Sequence, residues 1–291
     1  MRKLFISILV FAFLFSGCVS GVKIEKNNTP KTETVKKEKN IKETSQKPEK
    51  EISEKDEESI KPEEKKEDET TKPEKTGVLL GKVIVVDPGH GVNSYTKQEP
   101  IAPDSSETKS AFVSGTRGKN ITEEQLNLMV ALKLQRALQE KGAQVHMTRT
   151  VHNCDVSNID RAVFANDLNA DISVKLHADG NDNTAVRGVS MLIPGGAHIK
   201  DFAVIEKSRK AGTMILEEFV RTTGAQDRGI SVRNDMTGFN WSKVPVILLE
   251  MGFMTNPDED KLMESDEYQE KMVAGIVAGL ERYFSDLQAQ N

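Results

Sequence analysis

Two histidines and one glutamate in this chain stand at positions where the side chains of a folded sheet commonly do chemistry. His90, His177 and Glu250 each follow or close a run of aliphatic residues that is typical of a buried strand. In a parallel sheet, the carboxyl ends of the strands meet at one edge, and functional residues gather there. Two imidazoles and a carboxylate brought together in this way form a metal site readily. For each histidine alone, a solvated or capped side chain is the alternative.

The elements that would position these residues alternate along the chain. Aliphatic runs bounded by turn residues predict strands, and apolar residues at helical spacing predict helices. Strands are expected at 82–87, 143–148, 171–176, 188–193 and 244–250, and helices at 123–141, 157–169, 201–222 and 268–284. This alternation predicts an α/β fold with a mostly parallel twisted sheet and helices on both faces. The domain is expected over 78–287, which is long enough for one sizeable core.

The beginning of the chain has the composition of a secretory signal. Arg2 and Lys3 precede an uncharged apolar stretch that is too short to span a bilayer comfortably. The stretch ends in Phe-Ser-Gly-Cys, with Cys18 as its last residue, and this ending resembles the lipobox of bacterial lipoproteins. We therefore expect a lipoprotein signal peptide over 1–18, lipidation at Cys18 and an extracytoplasmic protein anchored to the cell membrane. An ordinary secretory signal with an incidental cysteine is the alternative.

Residues 19–77 are expected to form a disordered tether. Within them, residues 21–76 contain 15 Lys against 16 Asp plus Glu and no aromatic residue. Such a segment cannot bury enough apolar surface to offset its chain entropy. Fully extended, it would reach about 190 Å. The whole chain has a net charge of −5, and nothing in it indicates a nucleic-acid partner.

The other cysteine and the remaining histidines have no motif around them. Cys154 lies in a polar stretch and is interpreted as a loop thiol, with a catalytic thiol as the alternative. His146, His152 and His198 are interpreted as structural or solvated residues.

Six short motifs occur in order between Lys82 and Phe284. They are Asp87-Pro88-Gly89-His90-Gly91, Asn127-Leu128, Thr148-Arg149, Lys175-Leu176-His177-Ala178, Arg187-Gly188 and Glu250-Met251-Gly252-Phe253-Met254-Thr255-Asn256-Pro257. Together they resemble the N-acetylmuramoyl-L-alanine amidases of the zinc-dependent amidase 3 type. The turn around His90 has little specificity alone, whereas the combination at these spacings is specific.

The resemblance implies a zinc ion held by two histidines and one glutamate, with a second glutamate as the catalytic base. His90 and His177 match the histidine ligands, and Glu250 matches the base. In the family, the ligand glutamate opens the first helix four residues before an Asn-Leu pair, and here that residue is Glu123. Glu124 is the alternative, and it points about 100° away around the helix.

Four further features follow from the same resemblance. Arg187 is expected either to bind a carboxylate of the substrate or to brace the edge of the sheet. Asp87 is interpreted as a residue that fixes the His90 turn and not as a ligand. Asp179 stands where the family usually has Asn, and residues 92–119 form a longer polar insertion before the first helix.

The implied activity is hydrolysis, by zinc-activated water, of the amide bond between N-acetylmuramic acid and L-alanine in peptidoglycan. Such an enzyme would serve cell-wall turnover or remodelling, and its partners would be peptidoglycan and, through the lipid anchor, the membrane. Two other classes remain open. One is a metal-dependent endopeptidase or carboxypeptidase that acts on wall peptides. The other is a non-catalytic wall-binding module, which should have lost Glu250 or a metal ligand, and this sequence has lost neither.

Overall fold

A six-stranded sheet is the centre of the structure, a computed structural model that describes residues 77–91 and 96–290. A separate two-stranded sheet consists of β2 and β3. In chain order, the strands are β1 (Val83–Pro88), β2 (Gln98–Pro100), β3 (Thr108–Ser110), β4 (Gln144–Met147), β5 (Ile172–Asp179), β6 (Val189–Pro194), β7 (Asp227–Arg233) and β8 (Val246–Phe253).

The strands of the main sheet lie in the order β4-β1-β5-β8-β6-β7. Four of the five strand pairs are parallel, and the pair β6–β8 is antiparallel. The connection from β5 to β6, residues 180–188, contains no helix. Because a parallel return needs a crossover of a dozen or more residues, β6 re-enters the sheet from the same end and runs in the opposite direction. The predicted mostly parallel sheet is confirmed, with β6 and β7 inverted.

Helices cover both faces of this sheet. They are α1 (Glu123–Glu140), α2 (Asn158–Asp167), α3 (Phe202–Thr223), α4 (Thr237–Asn240), α5 (Pro257–Met263) and α6 (Asp266–Ala289). The first face is covered by α1, α3 and α6, whose apolar residues form the main core with alternate residues of the strands, such as Ile84 and Ile247. On the second face, Val85 packs with Ala165 of α2, and Leu248 packs with Phe239 of α4.

Two glycines allow α3 and α6 to approach closely. A Cβ at Gly279 would lie 2.4 Å from Cα of Ile215, and a Cβ at Gly275 would lie 2.7 Å from Cα of Phe219. Real Cβ atoms do not approach backbone this closely, so a side chain at either position would push the two helices apart. The glycines therefore set the close crossing of α3 and α6.

The predicted helices are confirmed, and their starts follow from local sequence. At the start of α1, the Gln125 side chain accepts a hydrogen bond from the Thr122 amide. Ser157 and Asp160 form a capping box at the start of α2. The structure adds α4 and α5, which are too short for a helical period to be visible in the sequence.

The strands differ from the prediction in three respects. The strand β7 was not predicted, because an edge strand with mostly exposed side chains has no apolar run. The strands β2 and β3 lie within the polar insertion 92–119 and have three residues each. Finally, β5 and β8 continue to Asp179 and Phe253, so His177 and Glu250 lie inside strands and not at their ends.

The expected signal peptide 1–18, its Cys18 and the expected tether 19–77, apart from Gly77, lie outside the described residues. Among the helices of the described part of the chain, none combines the length and the apolar character needed to cross a bilayer.

Candidate metal centre

Three side-chain atoms from distant parts of the chain meet at one point. His90 Nε2 lies 3.0 Å from Glu123 Oε1, His177 Nδ1 lies 3.0 Å from the same oxygen, and the two nitrogens are 3.1 Å apart. Nitrogen and carboxylate oxygen atoms converging in this way form a candidate metal site. Glu124, the neighbour of Glu123, is not part of this cluster.

A strained turn after β1 presents His90. Its backbone has φ of 59°, a left-handed conformation that is uncommon for residues with a side chain. The preceding Gly89 lies directly against the ring of His177, because a Cβ there would come within 2.3 Å of that ring's Nε2. His90 Nδ1 donates a hydrogen bond to the carbonyl of Val113 at 2.7 Å. This bond places a proton on Nδ1, so Nε2 is the nitrogen that offers a lone pair to a metal when the ring is neutral.

The first residue of α1 supplies the carboxylate. Glu123 is 3% exposed, and its Oε2 accepts a hydrogen bond from the Thr116 amide at 2.8 Å. Its Oε1 accepts one from the Ala178 amide at 3.1 Å. Burial would raise the pKa of this carboxyl, but its bonds to His177 and His90 hold the pKa well below the usual range. Glu123 is therefore a carboxylate, as a metal ligand must be.

The two histidines differ in their electrostatic environment. Burial lowers the pKa of His177 and outweighs the hydrogen bond to Glu123, which acts in the opposite direction. For His90, burial also lowers the pKa, but the hydrogen bond and the charge of Glu123 more than offset it, so the net shift is upward. Hence burial favours the neutral form of His177, which is the form that binds metals. For His90, the carboxylate of Glu123 favours the protonated form instead.

A buried ion cluster lies directly behind the His90 turn. Asp87, which is 1% exposed, pairs with Lys175 and, at 2.5 Å, with Arg161. The Thr148 hydroxyl donates a further hydrogen bond to the same carboxylate. Burial would raise the pKa of Asp87, but the charges of Lys175 and Arg161 hold it well below its usual range. The expected role of Asp87 in fixing the turn is thus exerted through its cationic partners.

Two arginines bind the carbonyl groups of the turn. Arg161 donates to the carbonyls of Pro88 at 2.9 Å and His90 at 2.6 Å. Arg149 donates to the carbonyls of Pro88 at 2.9 Å and Gly89 at 2.8 Å. Sequence reasoning missed Arg161 because helix α2 carries no motif, and it recorded Arg149 only as part of a Thr-Arg pair.

The insertion between β1 and α1 supports the metal site directly. It supplies the Val113 carbonyl to His90 and the Thr116 amide to Glu123. A Cβ at Gly115 would lie 2.5 Å from Glu123 Oε2, so this part of the insertion must pass close to the carboxylate.

Side chains from the second face of the sheet hold the insertion in place. Asn158 donates to the carbonyls of Ser110 and Ala111, and Asn240 donates to the carbonyl of Ile101. The polar composition of the insertion gave no sign of these contacts, because they depend on residues far away in sequence.

Glu250 lies beside the cluster without belonging to it. Cross-strand pairing places it opposite His177. Its Oε2 is buried and has no hydrogen-bond partner within residues 77–91 and 96–290. Burial, followed by the charges of Glu123 and Asp179, raises its pKa well above the usual value, and Arg233 opposes this shift. A carboxyl with a raised pKa next to a metal site is suited to exchanging protons.

The three donor residues and Glu250 face a cleft of about 950 Å³. Its lining includes His90, Glu123, His177 and Glu250, together with Asp179. A volume of this size matches sites for small molecules or short oligomers.

The remaining candidates lie away from the metal donors. Arg187 is exposed before β6 and is not among the residues that line the cleft, so its expected role stays a prediction. The sulfur of Cys154 packs against Gly91. His146 is half-buried in β4, and His198 lies 3.4 Å from Asp104.

Comparisons with known proteins agree with this geometry. Residues 84–282 match the family described as N-acetylmuramoyl-L-alanine amidase. An N-acetylmuramoyl-L-alanine amidase of Mycobacterium tuberculosis is 29% identical over 213 residues, which cover 69% of this chain and 86% of that protein. The probable cell wall amidase LytH of Staphylococcus aureus is 28% identical over 207 residues, which cover 71% of this chain and 60% of that protein.

Solved structures show the same architecture. A crystal structure of an N-acetylmuramyl-L-alanine amidase from Mycobacterium smegmatis superimposes with a TM-score of 0.66 at 26% identity, covering 72% of this chain and 99% of that chain. The N-acetylmuramoyl-L-alanine amidase of Clostridium difficile 630 superimposes with a TM-score of 0.58 at 29% identity, covering 70% and 97%.

The ion cluster behind the turn predicts a strong effect of Asp87→Asn on stability. The change leaves Lys175 and Arg161 buried without their anion, so the free energy of unfolding should fall by about 3–5 kcal/mol at pH 7. Because the folded-state pKa of Asp87 is depressed, its contribution is fully present above the unfolded pKa of about 3.9, begins to be lost below it, and is gone only below the folded-state pKa. Denaturant unfolding should therefore show a difference between the two proteins that is constant from pH 7 to about pH 5 and smaller by about 1 kcal/mol at pH 3. Asp266→Asn removes a carboxylate from an exposed pair with Lys133 and should change stability little. A difference between Asp87→Asn and the unchanged protein that is constant with pH would contradict this account.

Proposed function

The chain belongs to the N-acetylmuramoyl-L-alanine amidase family, and we propose that it hydrolyses its amide substrate with a zinc ion held by His90, Glu123 and His177. The bond concerned joins N-acetylmuramic acid to the L-alanine of the stem peptide in peptidoglycan. The observation that carries the zinc proposal is the convergence of three donor atoms at mutual distances of 3.0, 3.0 and 3.1 Å.

The donor set fits zinc in type and in spacing. Bonds of about 2.0–2.1 Å around a tetrahedral ion separate neighbouring donors by about 3.3 Å, close to the distances found here. Two neutral imidazoles and one carboxylate leave such an ion with about one net positive charge and a fourth position open. The oxygen-rich, flexible coordination that calcium prefers does not match two histidines.

Each residue of the site has a separate task in the proposed reaction. When bound, zinc supplies Lewis-acid chemistry, which makes water more acidic and polarises a carbonyl oxygen. Glu250 accepts the proton of the attacking water and passes it to the leaving amine of L-alanine. Arg149 and Arg161 hold the turn that carries His90, and the Val113 carbonyl fixes the tautomer of that histidine.

The other two classes are supported less well. An endopeptidase could use the same donors and the same base, but the relatives that cover the domain are named as amidases. A wall-binding module without activity has no need of Glu250, a buried carboxylate that is costly to keep beside the donors. Identifying the amino group released by the reaction distinguishes an amidase from an endopeptidase, because only an amidase releases the α-amine of L-alanine.

Removal of any one donor should abolish tight zinc binding. In His90→Ala, Glu123→Ala and His177→Ala, we expect zinc content well below one ion per chain, measured by elemental analysis after dialysis. Glu124→Ala makes the same change at the neighbouring residue and should leave the content close to one. Zinc content that follows Glu124 instead of Glu123 would overturn the ligand assignment.

Glu250→Gln should separate proton transfer from metal binding. The amide keeps the shape of the side chain but accepts no proton, so we expect full zinc content and a rate lower by about 10²–10⁴-fold. The measurement is release of the L-alanine amine from muropeptides, with Glu267→Gln, an exposed position on α6, as the control. Near-normal turnover would mean that another group is the base, and loss of zinc would make Glu250 a ligand.

We further propose that the enzyme is a lipoprotein, anchored outside the cytoplasm through Cys18 and facing the wall across the tether 19–77. The support is the apolar stretch that ends in Ser-Gly-Cys and the cell-wall relative in Staphylococcus aureus. Cys18→Ala should abolish metabolic labelling with a fatty acid and release the protein from membranes, because stable anchoring needs the acyl chains. Labelling that persists in this variant would disprove the anchor.

A further inference from the structure

The cleft extends beyond the metal donors to a charged cluster on the second face of the sheet. This cluster consists of Lys109, Arg233 and Asp235, all of which line the cleft. Arg233 donates from Nε and Nη2 to the two carboxylate oxygens of Asp235, each at 2.8 Å. Lys109 donates to the backbone carbonyl of Asp235 at 2.6 Å. Two cations against one anion leave this end of the cleft with one net positive charge.

Strand pairing shows that the opposite end of the cleft is acidic. Asp179 pairs with Phe253 at the carboxyl end of β8. Arg233 pairs with Pro194 of β6, and because β6 is antiparallel to β8, this pair lies toward the amino end of β8. Asp179 and Asp182 both line the cleft. The cleft therefore has a positive end and a negative end, with Glu250 and the metal donors between them.

The proposed substrate has a matching asymmetry of charge. The carboxyl group of muramic acid is consumed in the scissile amide, so the glycan carries no charge at that point. The stem peptide beyond L-alanine retains free carboxylates wherever these are not amidated. A carboxylate is attracted to the positive end of such a cleft and repelled from the acidic end.

We propose that Arg233, assisted by Lys109, binds a free carboxylate of the stem peptide beyond L-alanine, so that the peptide lies over β8 toward β7. This inference rests on the proposed function and adds the orientation and the charge preference of the substrate. The pair with Asp235 holds the guanidinium in one orientation through Nε and Nη2, and Nη1 makes no hydrogen bond to the described residues 77–91 and 96–290. A fixed guanidinium loses little side-chain entropy on binding, and it matches the geometry of a carboxylate.

The insertion takes part in this subsite, since Lys109 belongs to β3. Two other arginines, Arg187 and Arg228, lie near β7 but outside the cleft. Arg228, on the same strand as Arg233, stacks on Phe253 and donates to the Arg187 carbonyl, and neither Arg187 nor Arg228 lines the cleft. Arg228 is thus a matched position for removing one positive charge from β7 without changing the cleft.

The test compares matched muropeptides with free or amidated carboxylates at the second or the third residue of the stem. The full-length zinc protein is assayed for kcat/KM on each. We expect a preference of about tenfold or more for at least one free carboxylate, in line with a hydrogen bond to a charged group. The preference should fall to about one in Arg233→Gln, shrink in Lys109→Gln and in Arg233→Lys, and persist in Arg228→Gln. Ratios between substrates are compared because the charge of Arg233 also acts on Glu250, and that effect is common to both substrates.

The outcomes are distinguishable. Cleavage of all substrates without any preference would overturn the subsite and leave the amidase function standing. A preference that survives Arg233→Gln, or that disappears in Arg187→Gln instead, would also overturn it. Failure to release the L-alanine amine from any muropeptide would reject the proposed function itself, and the subsite with it. Circular dichroism and zinc content establish that each variant is folded. If Arg233→Gln does not fold, the reduced preference expected in Arg233→Lys is the test.

Discussion

The geometry of the candidate metal site depends on one buried carboxylate, Asp87. Its charge makes it possible to bury Arg161 and Lys175 under the end of the sheet, where unpaired cations would be strongly unfavourable. Arg161 in turn holds the carbonyls that follow Asp87 and fixes a turn in which His90 adopts a left-handed backbone. An uncommon backbone conformation of this kind persists only where its surroundings determine it fully.

Two departures from a regular parallel sheet give the cleft its form. The short β5–β6 connection inverts β6, and the inversion places the end of β7, with Arg233, beside the second face of the sheet. The insertion before α1 crosses this face and supplies hydrogen-bond partners to both His90 and Glu123. The described residues of the insertion, from 96 onward, therefore contribute to the candidate metal site and to the far wall of the cleft, although the three donor atoms come from outside it.

Local patterns made much of this predictable. His90, His177 and Glu250 were visible because each follows or closes an aliphatic run. Glu123 was chosen over Glu124 only through the family resemblance, because it stands four residues before the Asn127-Leu128 pair. Arg161 and Val113 were not visible, because their contacts with His90 span 71 and 23 residues and leave no periodic signal. The direction of β6 was also missed. It depends on the length of a loop and on which strand becomes the neighbour, and neither can be read from an apolar run of six residues.

The three donors are widely separated along the chain, and this has a consequence for how the site comes into being. His177 is 87 residues from His90 and 54 residues from Glu123. No short segment contains two of these donors, so the complete set comes together only in the folded chain. If the chain crosses the membrane unfolded, a metal held by these three residues could bind only after export, from the ions available outside the cell.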